Sequence, residues 1–401
     1  IFKSNQTTPA PSDWLGIKYL TPQAGTLSTI SNAEILYAHE PLFVNGRNLT
    51  LNNVRIAYSG DYGMRINNTF LTTNITNCTI EENAGYGLLI ETGPVNITGL
   101  IISHNGSYGV KILGASTVIA SDIVSSTNAE HGIWVVEDQE ASFTNCRSIS
   151  NGKHGALLDA ATTTFTNCNI SNNSHFGFWI LGPYSNPTIT QCTVSNNGLC
   201  GFVLKQSSAV ISQSNIVDNI SGVLLIGSQP EITNCNIFNN RGDAISQSVV
   251  DWPCNTNFPQ DSFIPGFWIE AGATWPPYWG GAWFMCNGIQ YGFGYPGYTQ
   301  VMDFCLSYLD AYLPGAAASW GFRMNAILLS GTGNKQVQVL NQSGSIVNLN
   351  NNWWGQVNGV DSLIVQQNAG TASYQAFLAE PISGIGCTLP NLSPSISMTT
   401  P

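Results

Sequence analysis

A repeat of about 22 residues constrains the fold of this chain more than any other feature of its sequence. Glycines recur at steps of 24, 22, 23, 23, 22, 24 and 21 residues, at Gly63, Gly87, Gly109, Gly132, Gly155, Gly177, Gly201 and Gly222. Four residues before six of these glycines stand Asn83, Asn105, Asn128, Asn151, Asn173 and Asn197. A third column, five residues before the asparagines, holds Cys78, Leu100, Ile123, Cys146, Cys168 and Cys192, and it continues at Ser214 and Cys235. Three columns in one register predict a repetitive architecture.

Apolar residues alternate within each repeat over short stretches such as "ITNCTI", "FTNCNI" and "GFWI". Alternation with a period of two over this length predicts strands. One such unit cannot bury an apolar face alone, whereas stacked copies pair strand on strand around a continuous core. We therefore predict an all-β fold made of parallel β-helix coils. The asparagines are expected to lie at left-handed or bridging turns and to hydrogen-bond between coils about 4.8 Å apart, and the glycines to supply turns without a Cβ.

The chain also resembles a known superfamily. The segment "DWLGIKYL", the coils "ITNCTIEENAGYGLLI" and "FTNCNISNNSHFGFWI", and the late "NNNWWG" followed by "YQAFLAEP" are similar to the right-handed parallel β-helix superfamily, which has the pectate-lyase-like fold. The resemblance covers about residues 12–250 and 323–381. It implies a right-handed parallel β-helix solenoid. It does not specify a function, because the superfamily includes both secreted polysaccharide-active enzymes and surface proteins.

Composition divides the chain into five parts. We predict an N-terminal segment and cap at 1–27, β-helix coils at 28–250, final coils with a C-terminal cap at 323–386, and a Ser/Thr/Pro tail of the linker or stalk type at 387–401. The inserted segment 251–322 is rich in Trp, Pro and Gly and holds six of the eleven tryptophans. Two interpretations of these aromatic residues stay open: a small auxiliary core or cap, or an exposed surface for sugar or a neighbouring subunit.

The charge of the chain excludes some partners. Only 9% of the residues are charged, with 12 Lys+Arg against 23 Asp+Glu and a formal net charge of −11. So few cations cannot neutralise a row of phosphates, which argues against nucleic acid and against an anionic membrane surface. No stretch of about 18 consecutive apolar residues and no basic-then-apolar leader are present, so we expect no membrane insertion and a mature or trimmed soluble form.

Many Asn-Xaa-Ser/Thr sequences favour an extracellular or cell-surface location. Such triplets arise by chance in an Asn-rich chain, so the set carries more weight than any member. We predict glycosylation at Asn48, Asn67, Asn74, Asn96, Asn105, Asn169, Asn172, Asn219 and Asn341.

The ten cysteines form two groups. Those of the repeat column are expected to stack inward as small apolar side chains, with disulfides between neighbouring coils as the alternative. The others lie outside the coils, with Cys200 at a turn. One or two disulfides are expected among Cys254, Cys286, Cys305 and Cys387, for example Cys254 with Cys286. No Cys/His spacing matches a zinc or haem site, so no metal or cofactor is expected.

Catalysis would need groups with opposed pKa values at one point. The enzymes that the chain resembles use a Lys or Arg base beside calcium-binding carboxylates, or clustered Asp residues. The densest acidic neighbourhood here contains Glu137, Asp138 and Glu140, with His131, Lys153, His154 and Asp159 on the same or the next coil. Its spacing permits an acid and a base, and the alternative is a solvated turn that collects charge. The weak catalytic candidates are therefore Glu137, Asp138, Asp159 and His154.

Aromatic residues form a further column directly before the glycines: Tyr62, Tyr86, Tyr108, His131, His154 and Phe176. We expect these rings to stack along the solenoid as a structural feature. Two residues after the glycines, Trp134 and Trp179 lie two coils apart, about 9.6 Å at the strand spacing. With Lys111 one coil below Trp134, this stripe is a candidate carbohydrate-binding platform. The alternative is that the insertion or the tail covers it.

Two functional classes follow. The first is a non-catalytic extracellular structural or adhesive glycoprotein, self-associating into a filament or surface layer, with glycans as possible ligands. The second is a secreted polysaccharide lyase or glycoside hydrolase that acts in a groove of the β-helix, and it depends on fold analogy. The missing compact catalytic cluster favours the first class. Open ends of a β-helix favour self-association in either class.

Overall fold

The computed structural model of the protein describes residues 1–19, 27–46, 48–67, 71–114, 117–137, 141–219, 221–226, 228–240, 281–286, 289–294, 339–341, 347–354, 364–366, 372–374 and 377–389. These residues form an all-β parallel solenoid, as predicted. No helix in the described ranges is long and apolar enough to cross a membrane.

Each coil places one short strand on each of three walls, and equivalent strands of successive coils pair in parallel. The first wall is a 12-stranded sheet made of β1 (Ile17–Tyr19), β3 (Leu42–Asn45), β5 (Met64–Asn67), β8 (Leu88–Thr92), β11 (Val110–Leu113), β14 (Ile133–Val136), β17 (Ala156–Asp159), β20 (Phe178–Leu181), β23 (Cys200–Lys205), β26 (Ser221–Ile226), β31 (Val339–Asn341) and β33 (Ile364–Gln366).

Two ten-residue strands, β2 (Leu27–Leu36) and β4 (Asn48–Ala57), begin both remaining walls. The first half of β4 pairs with residues 73–76 and the second half with residues 79–81. The second wall continues with β6 (Thr73–Thr76), β9 (Val95–Thr98), β12 (Val118–Ser121), β15 (Ser142–Thr144), β18 (Thr164–Thr166), β21 (Thr188–Thr190), β24 (Val210–Ser212), β27 (Glu231–Thr233), β32 (Val347–Asn348) and β34 (Ala372–Ser373). The third wall contains β7 (Thr79–Glu81), β10 (Ile101–Ser103), β13 (Val124–Ser126), β16 (Arg147–Ile149), β19 (Asn169–Ser171), β22 (Thr193–Ser195), β25 (Asn215–Val217) and β28 (Asn236–Phe238).

The period-two pattern places alternate side chains inside the solenoid. Val110 and Ile112 of β11 are fully buried, whereas Lys111 between them points outward. Identical rings repeat on neighbouring coils of the core, and Phe143 stacks on Phe165 with 4.9 Å between ring centroids. The alternation read from the sequence therefore sets which face of each wall is buried.

The asparagine column forms a buried ladder parallel to the solenoid axis. Each Nδ2 donates to the Oδ1 of the next rung at 2.9–3.1 Å, and each backbone N–H donates to the same oxygen at 3.0–3.2 Å. The predicted hydrogen bonding between coils is confirmed. The ladder runs two rungs further than predicted, over Asn83, Asn105, Asn128, Asn151, Asn173, Asn197, Asn219 and Asn240.

The left-handed residue of each turn is the one before the ladder asparagine. The ladder asparagines do not have positive φ; the residue before each one does, as at Glu82 (φ 55°), Ser150 (φ 56°) and Asn172 (φ 58°). A second left-handed residue precedes each inward cysteine position, as at Asn145 (φ 56°) and Asn167 (φ 53°). Asn and Asp tolerate this conformation best among residues with a Cβ, which accounts for their number at these bends.

The column glycines are required by close packing and not by a left-handed backbone conformation. They lack a left-handed φ, and instead they allow close approach. A Cβ on Gly155 would lie 2.3 Å from Cγ2 of Ile170 and 2.7 Å from Nδ2 of Asn173. The glycine therefore makes room for the next rung of the asparagine ladder.

The cysteines of the repeat column are confirmed as inward free thiols. Cys78, Cys146, Cys168, Cys192 and Cys235 are buried and unpaired. Each Sγ donates to the carbonyl two residues earlier, as from Cys146 to Thr144 at 3.3 Å. Cys200 does not lie at a turn as predicted; it begins β23 and is buried.

The solenoid resumes in register after the long insertion. Val223 of β26 pairs with Val339 of β31, and Glu231 of β27 pairs with Asn348 of β32. Trp354 of "NNNWWG" is fully buried in the same core. Within the predicted insertion 251–322, the structure describes an antiparallel hairpin of β29 (Gly281–Cys286) and β30 (Ile289–Gly294); the two interpretations of its tryptophans fall outside the described side chains.

Residues 382–388, which we call the strap, run back along the outside of the third wall. Ile382 exchanges two hydrogen bonds with the side chain of Asn236, at 2.9 and 3.1 Å. Further along, the Ile385 carbonyl accepts from Asn215 at 3.0 Å. Cys387 and Thr388, where the linker or stalk was predicted to begin, bind Thr193 and Asn167. These first two residues of the 387–401 tail therefore pack on the coils.

Candidate functional site

One edge of the first wall carries a continuous row of rings, which we call the aromatic stack. Adjacent rings lie parallel with centroid distances of 4.7–5.2 Å. Successive coils of the solenoid are one strand spacing apart, so rings at equivalent positions of neighbouring coils lie within stacking distance. The predicted stacking is confirmed for Tyr62, Tyr86, Tyr108, His131, His154 and Phe176.

Two histidines of the stack are held neutral by burial. His131 and His154 are buried, and desolvation, followed by nearby cations and imidazoles, lowers the pKa of each well below its usual range. Nδ1 of His154 accepts a hydrogen bond from the backbone N–H of Phe176 at 3.3 Å. His154, a weak catalytic candidate, therefore lies inside the stack with one ring nitrogen already bonded.

Acid is expected to destabilise the protein as the pH falls through about 6.5, the unfolded pKa of histidine, and below it. The unfolded chain takes up protons at these histidines near pH 6.5 while the folded chain resists them, so the free energy of unfolding decreases as the pH falls. Each histidine contributes up to about 1.4 kcal/mol per pH unit below its unfolded pKa. We expect His154→Phe, with a ring like that of Phe176, to reduce this slope in urea unfolding at a series of pH values. An unchanged slope would contradict the assignment.

An ammonium group lies among three rings on the outward face of this wall. Nζ of Lys111 is 3.8 Å from the ring centroid of Trp134, 5.1 Å from that of Tyr86 and 5.4 Å from that of Tyr108. Burial lowers the pKa of Lys111, opposed by the charge of Glu130. Within the described part of the chain, no carboxylate pairs with this ammonium. We call Lys111, Tyr86, Tyr108 and Trp134 the aromatic cage.

The two predicted platform tryptophans have different surroundings. They lie two coils apart, because Trp134 pairs with Leu157 and Leu157 with Trp179. Trp134 is half-buried, whereas Trp179 is 7% exposed and packs edge-on against His154 and Phe176. The accessible part of the predicted platform is therefore at Trp134 and Lys111.

Two of the carboxyl candidates lie on neighbouring coils. The backbone N–H of Glu137 donates to the carbonyl of Asp159 at 2.9 Å, and Asp159 is half-buried. Desolvation raises the pKa of Asp159, and the charge of Glu137 raises it further. Asp138 and Glu140 fall outside the described residues. The acidic neighbourhood thus contains one described pair of carboxyl groups.

The predicted glycosylation acceptors fall into several environments. The prediction of glycosylation at Asn105 and Asn219 is wrong, because both are buried rungs of the asparagine ladder and their amide nitrogens are hydrogen-bonded. Asn96 and Asn172 are exposed, and Asn96 donates to the half-buried Asn74 at 2.9 Å. The other described acceptors, Asn48, Asn67 and Asn169, are half-buried. The side chain of Asn341 falls outside the described residues.

The predicted disulfide partners are only partly described. Cys387 is a free thiol in this structure, and a disulfide among the other three cysteines stays a prediction. Cys387 lies in the strap on the outer surface, where Sγ donates to the Asn167 carbonyl, while the described column cysteines face the core on the other side of the wall. The side chains of Cys254, Cys286 and Cys305 fall outside the described residues.

Two structural features of the surface were not predicted from the sequence. The tyrosines of the aromatic cage were assigned a structural role alone, although their position one residue before the glycines places them beside the Lys111 stripe. The strap has no periodicity, so no pattern indicated that it packs on the coils.

Comparisons with known proteins identify the fold. The family model described as "Right handed beta helix region" matches residues 24–127 and 131–264, more than half of the chain. No curated protein sequence matches the chain. The solved structure of the A-module of the mannuronan C-5 epimerase AlgE6 from Azotobacter vinelandii is similar with 17% identity and a TM-score of 0.46, covering 54% of this chain and 68% of that chain.

Proposed function

The chain belongs to the right-handed β-helix family, and on that premise we propose that it is an extracellular structural or adhesive glycoprotein that binds an acidic glycan at its aromatic cage. The observation that carries the proposal is the Lys111 ammonium, 3.8 Å from the Trp134 ring centroid and without a paired carboxylate in the described ranges. A uronic-acid carboxylate supplies the missing counter-charge, and its apolar sugar face packs on the rings.

The solenoid suits a structural or adhesive role. Its side chains are fixed by paired strands and by the buried asparagine ladder, so the cage is preorganised and loses little side-chain entropy on binding. The exposed acceptors Asn96 and Asn172 support glycosylation of the surface. Self-association through the ends of the solenoid is part of the proposal, and sedimentation over a range of protein concentrations tests it.

Replacing Trp134 with alanine is expected to weaken binding to an acidic polysaccharide about tenfold, because the ring supplies both stacking area and a cation–π partner. Lys111→Met should weaken binding to acidic chains and leave binding to neutral chains unchanged. The measurement is calorimetric titration of purified full chain with pectate, alginate and a neutral glucan. Thr166→Ala, outward on the second wall, is the matched control. Equal affinity in all variants would contradict the cage as the binding site.

Cleavage of a polysaccharide is the second candidate function. It is supported by Asp159, whose pKa is raised by burial and by Glu137 on the neighbouring coil. A proton-donating carboxyl beside a second carboxylate is the arrangement of a general acid and base. Incubation with the same polysaccharides, followed by assay of new reducing ends and unsaturated products, tests it. Product formation that Asp159→Asn abolishes would favour the enzyme over the adhesive protein.

A further inference from the structure

The strap crosses one of the predicted glycosylation acceptors. Asn169 begins β19 within the sequence Asn-Ile-Ser, and it shares an outward column with Thr193, Asn215 and Asn236 of the next three coils. The strap hydrogen-bonds to each of these three side chains and then to Asn167, two residues before the acceptor. Its path therefore runs over the surface at Asn169.

The acceptor amide is covered on its oxygen side in this arrangement. Oδ1 of Asn169 is buried and, among the described residues, has no hydrogen-bond partner. A buried amide oxygen without a donor is unfavourable, because it has lost water and gained nothing in return. An N-linked glycan is bulky and solvated, so it needs the space above Asn169 that Cys387 and Thr388 border.

We propose that the docked strap and a glycan on Asn169 exclude each other, so that the strap governs modification of this acceptor. The proposal rests on the proposed glycoprotein function. In the modification, Nδ2 of Asn169 forms a bond to the anomeric carbon of a pyrophosphate-linked sugar donor. The amide loses one proton, and the pyrophosphate carrier leaves with the electron pair of the broken sugar–oxygen bond. This reaction needs an open acceptor, which the undocked strap provides.

Two glycines of the strap region offer a matched pair of variants. Both have positive φ, +83° at Gly386 and +71° at Gly384, so alanine is strained at either position. A Cβ on Gly386 would lie 2.2 Å from Nδ2 of Asn215 and 2.9 Å from Oγ1 of Thr193, whereas a Cβ on Gly384 meets nothing within 4 Å. Gly386→Ala therefore lifts the strap from the wall, and Gly384→Ala controls for backbone strain.

The first experiment uses full chain from a host without N-glycosylation. Asn169→Cys is combined with Cys387→Ser, and labelling of the introduced thiol by a maleimide is followed by peptide mass mapping. Adding Gly386→Ala should raise the labelling rate about tenfold or more, a change of about 1.4 kcal/mol in the opening equilibrium, and Gly384→Ala should not. Equal labelling rates in the three proteins would overturn the proposal that the strap covers the acceptor.

The second experiment uses a secretory host with N-glycosylation and measures occupancy at each acceptor. Asn169 occupancy should be higher in Gly386→Ala than in the natural chain or Gly384→Ala, with Asn172 occupancy unchanged. Molecules with a glycan on Asn169 should expose the Cys387 thiol to labelling about tenfold faster than Ser171→Ala, which lacks this acceptor sequence. Glycosylated Asn169 beside a protected Cys387 would overturn the exclusion. Absence of sugar from every acceptor would refute the glycoprotein function, while the first experiment still decides the strap.

Discussion

The free energy of unfolding is expected to fall by about 4 kcal/mol when Asn151 is replaced by alanine. Nδ2 of Asn151 donates to Oδ1 of Asn173 at 3.0 Å and to the Ser125 carbonyl at 3.2 Å. Its Oδ1 accepts from the backbone and side chain of Asn128 at 3.1 and 3.0 Å. Alanine leaves these buried groups unpaired on both sides of the rung. Urea unfolding followed by circular dichroism measures the loss.

An asparagine pair on the outer surface provides the control for this prediction. Asn96 makes a side-chain hydrogen bond to Asn74 at 2.9 Å on the outside of the second wall, where water replaces the bond if it is lost. Asn96→Ala is expected to change the free energy of unfolding by less than about 0.5 kcal/mol. Similar losses of unfolding free energy in the two variants would show that burial does not determine how much the ladder stabilises the protein.

The spacing of the sequence columns predicted the fold, because residues one repeat apart in the sequence lie next to each other on adjacent coils of a solenoid. Six rungs of the ladder were recognised, since each stands four residues before a glycine. Asn219 was missed because it stands three residues before Gly222, and Asn240 because no glycine stands four residues after it. The same spacing predicted the aromatic stack, whose members occupy one equivalent position.

The candidate site was less predictable, because it depends on burial and on contacts between distant segments. An Asn-Xaa-Ser/Thr triplet says nothing about which face of a wall the asparagine occupies, and Asn105 and Asn219 therefore failed as glycosylation acceptors. The position of the Lys111 ammonium over Trp134 depends on side-chain rotamers. Contacts of the strap join residues 146 to 221 positions apart, beyond the reach of any local pattern.

The three walls place the two proposed features on different faces. The aromatic cage faces outward from the first wall through Lys111, and the strap lies on the third wall over Asn215 and Asn236. Ligand binding at the cage therefore does not require the strap to move. The two proposals depend on different contacts, so an experiment that contradicts one of them does not contradict the other.

Gly155→Ala is expected to lower the free energy of unfolding by about 3 kcal/mol, the upper part of the range for an overpacked core. The new Cβ would lie 2.3 Å from Cγ2 of Ile170, 2.7 Å from Nδ2 of Asn173 and 2.9 Å from the Gly177 carbonyl oxygen. These atoms belong to the core, to the asparagine ladder and to the backbone of the next coil. A shift of the new Cβ away from one of these atoms therefore brings it closer to the others. The measurement is the urea midpoint and its slope.

Gly182→Ala separates close packing from backbone conformation as the reason for glycine. Gly182 has a φ of +89°, and the nearest atom to its added Cβ is 3.9 Å away. The change is strained but not crowded, so the expected loss is about 1 kcal/mol. A greater loss at Gly182 than at Gly155 would restore the interpretation of the repeat glycines as turn residues. A greater loss at Gly155 means that the glycine and asparagine columns depend on each other, because each glycine leaves room for an asparagine amide of the next coil.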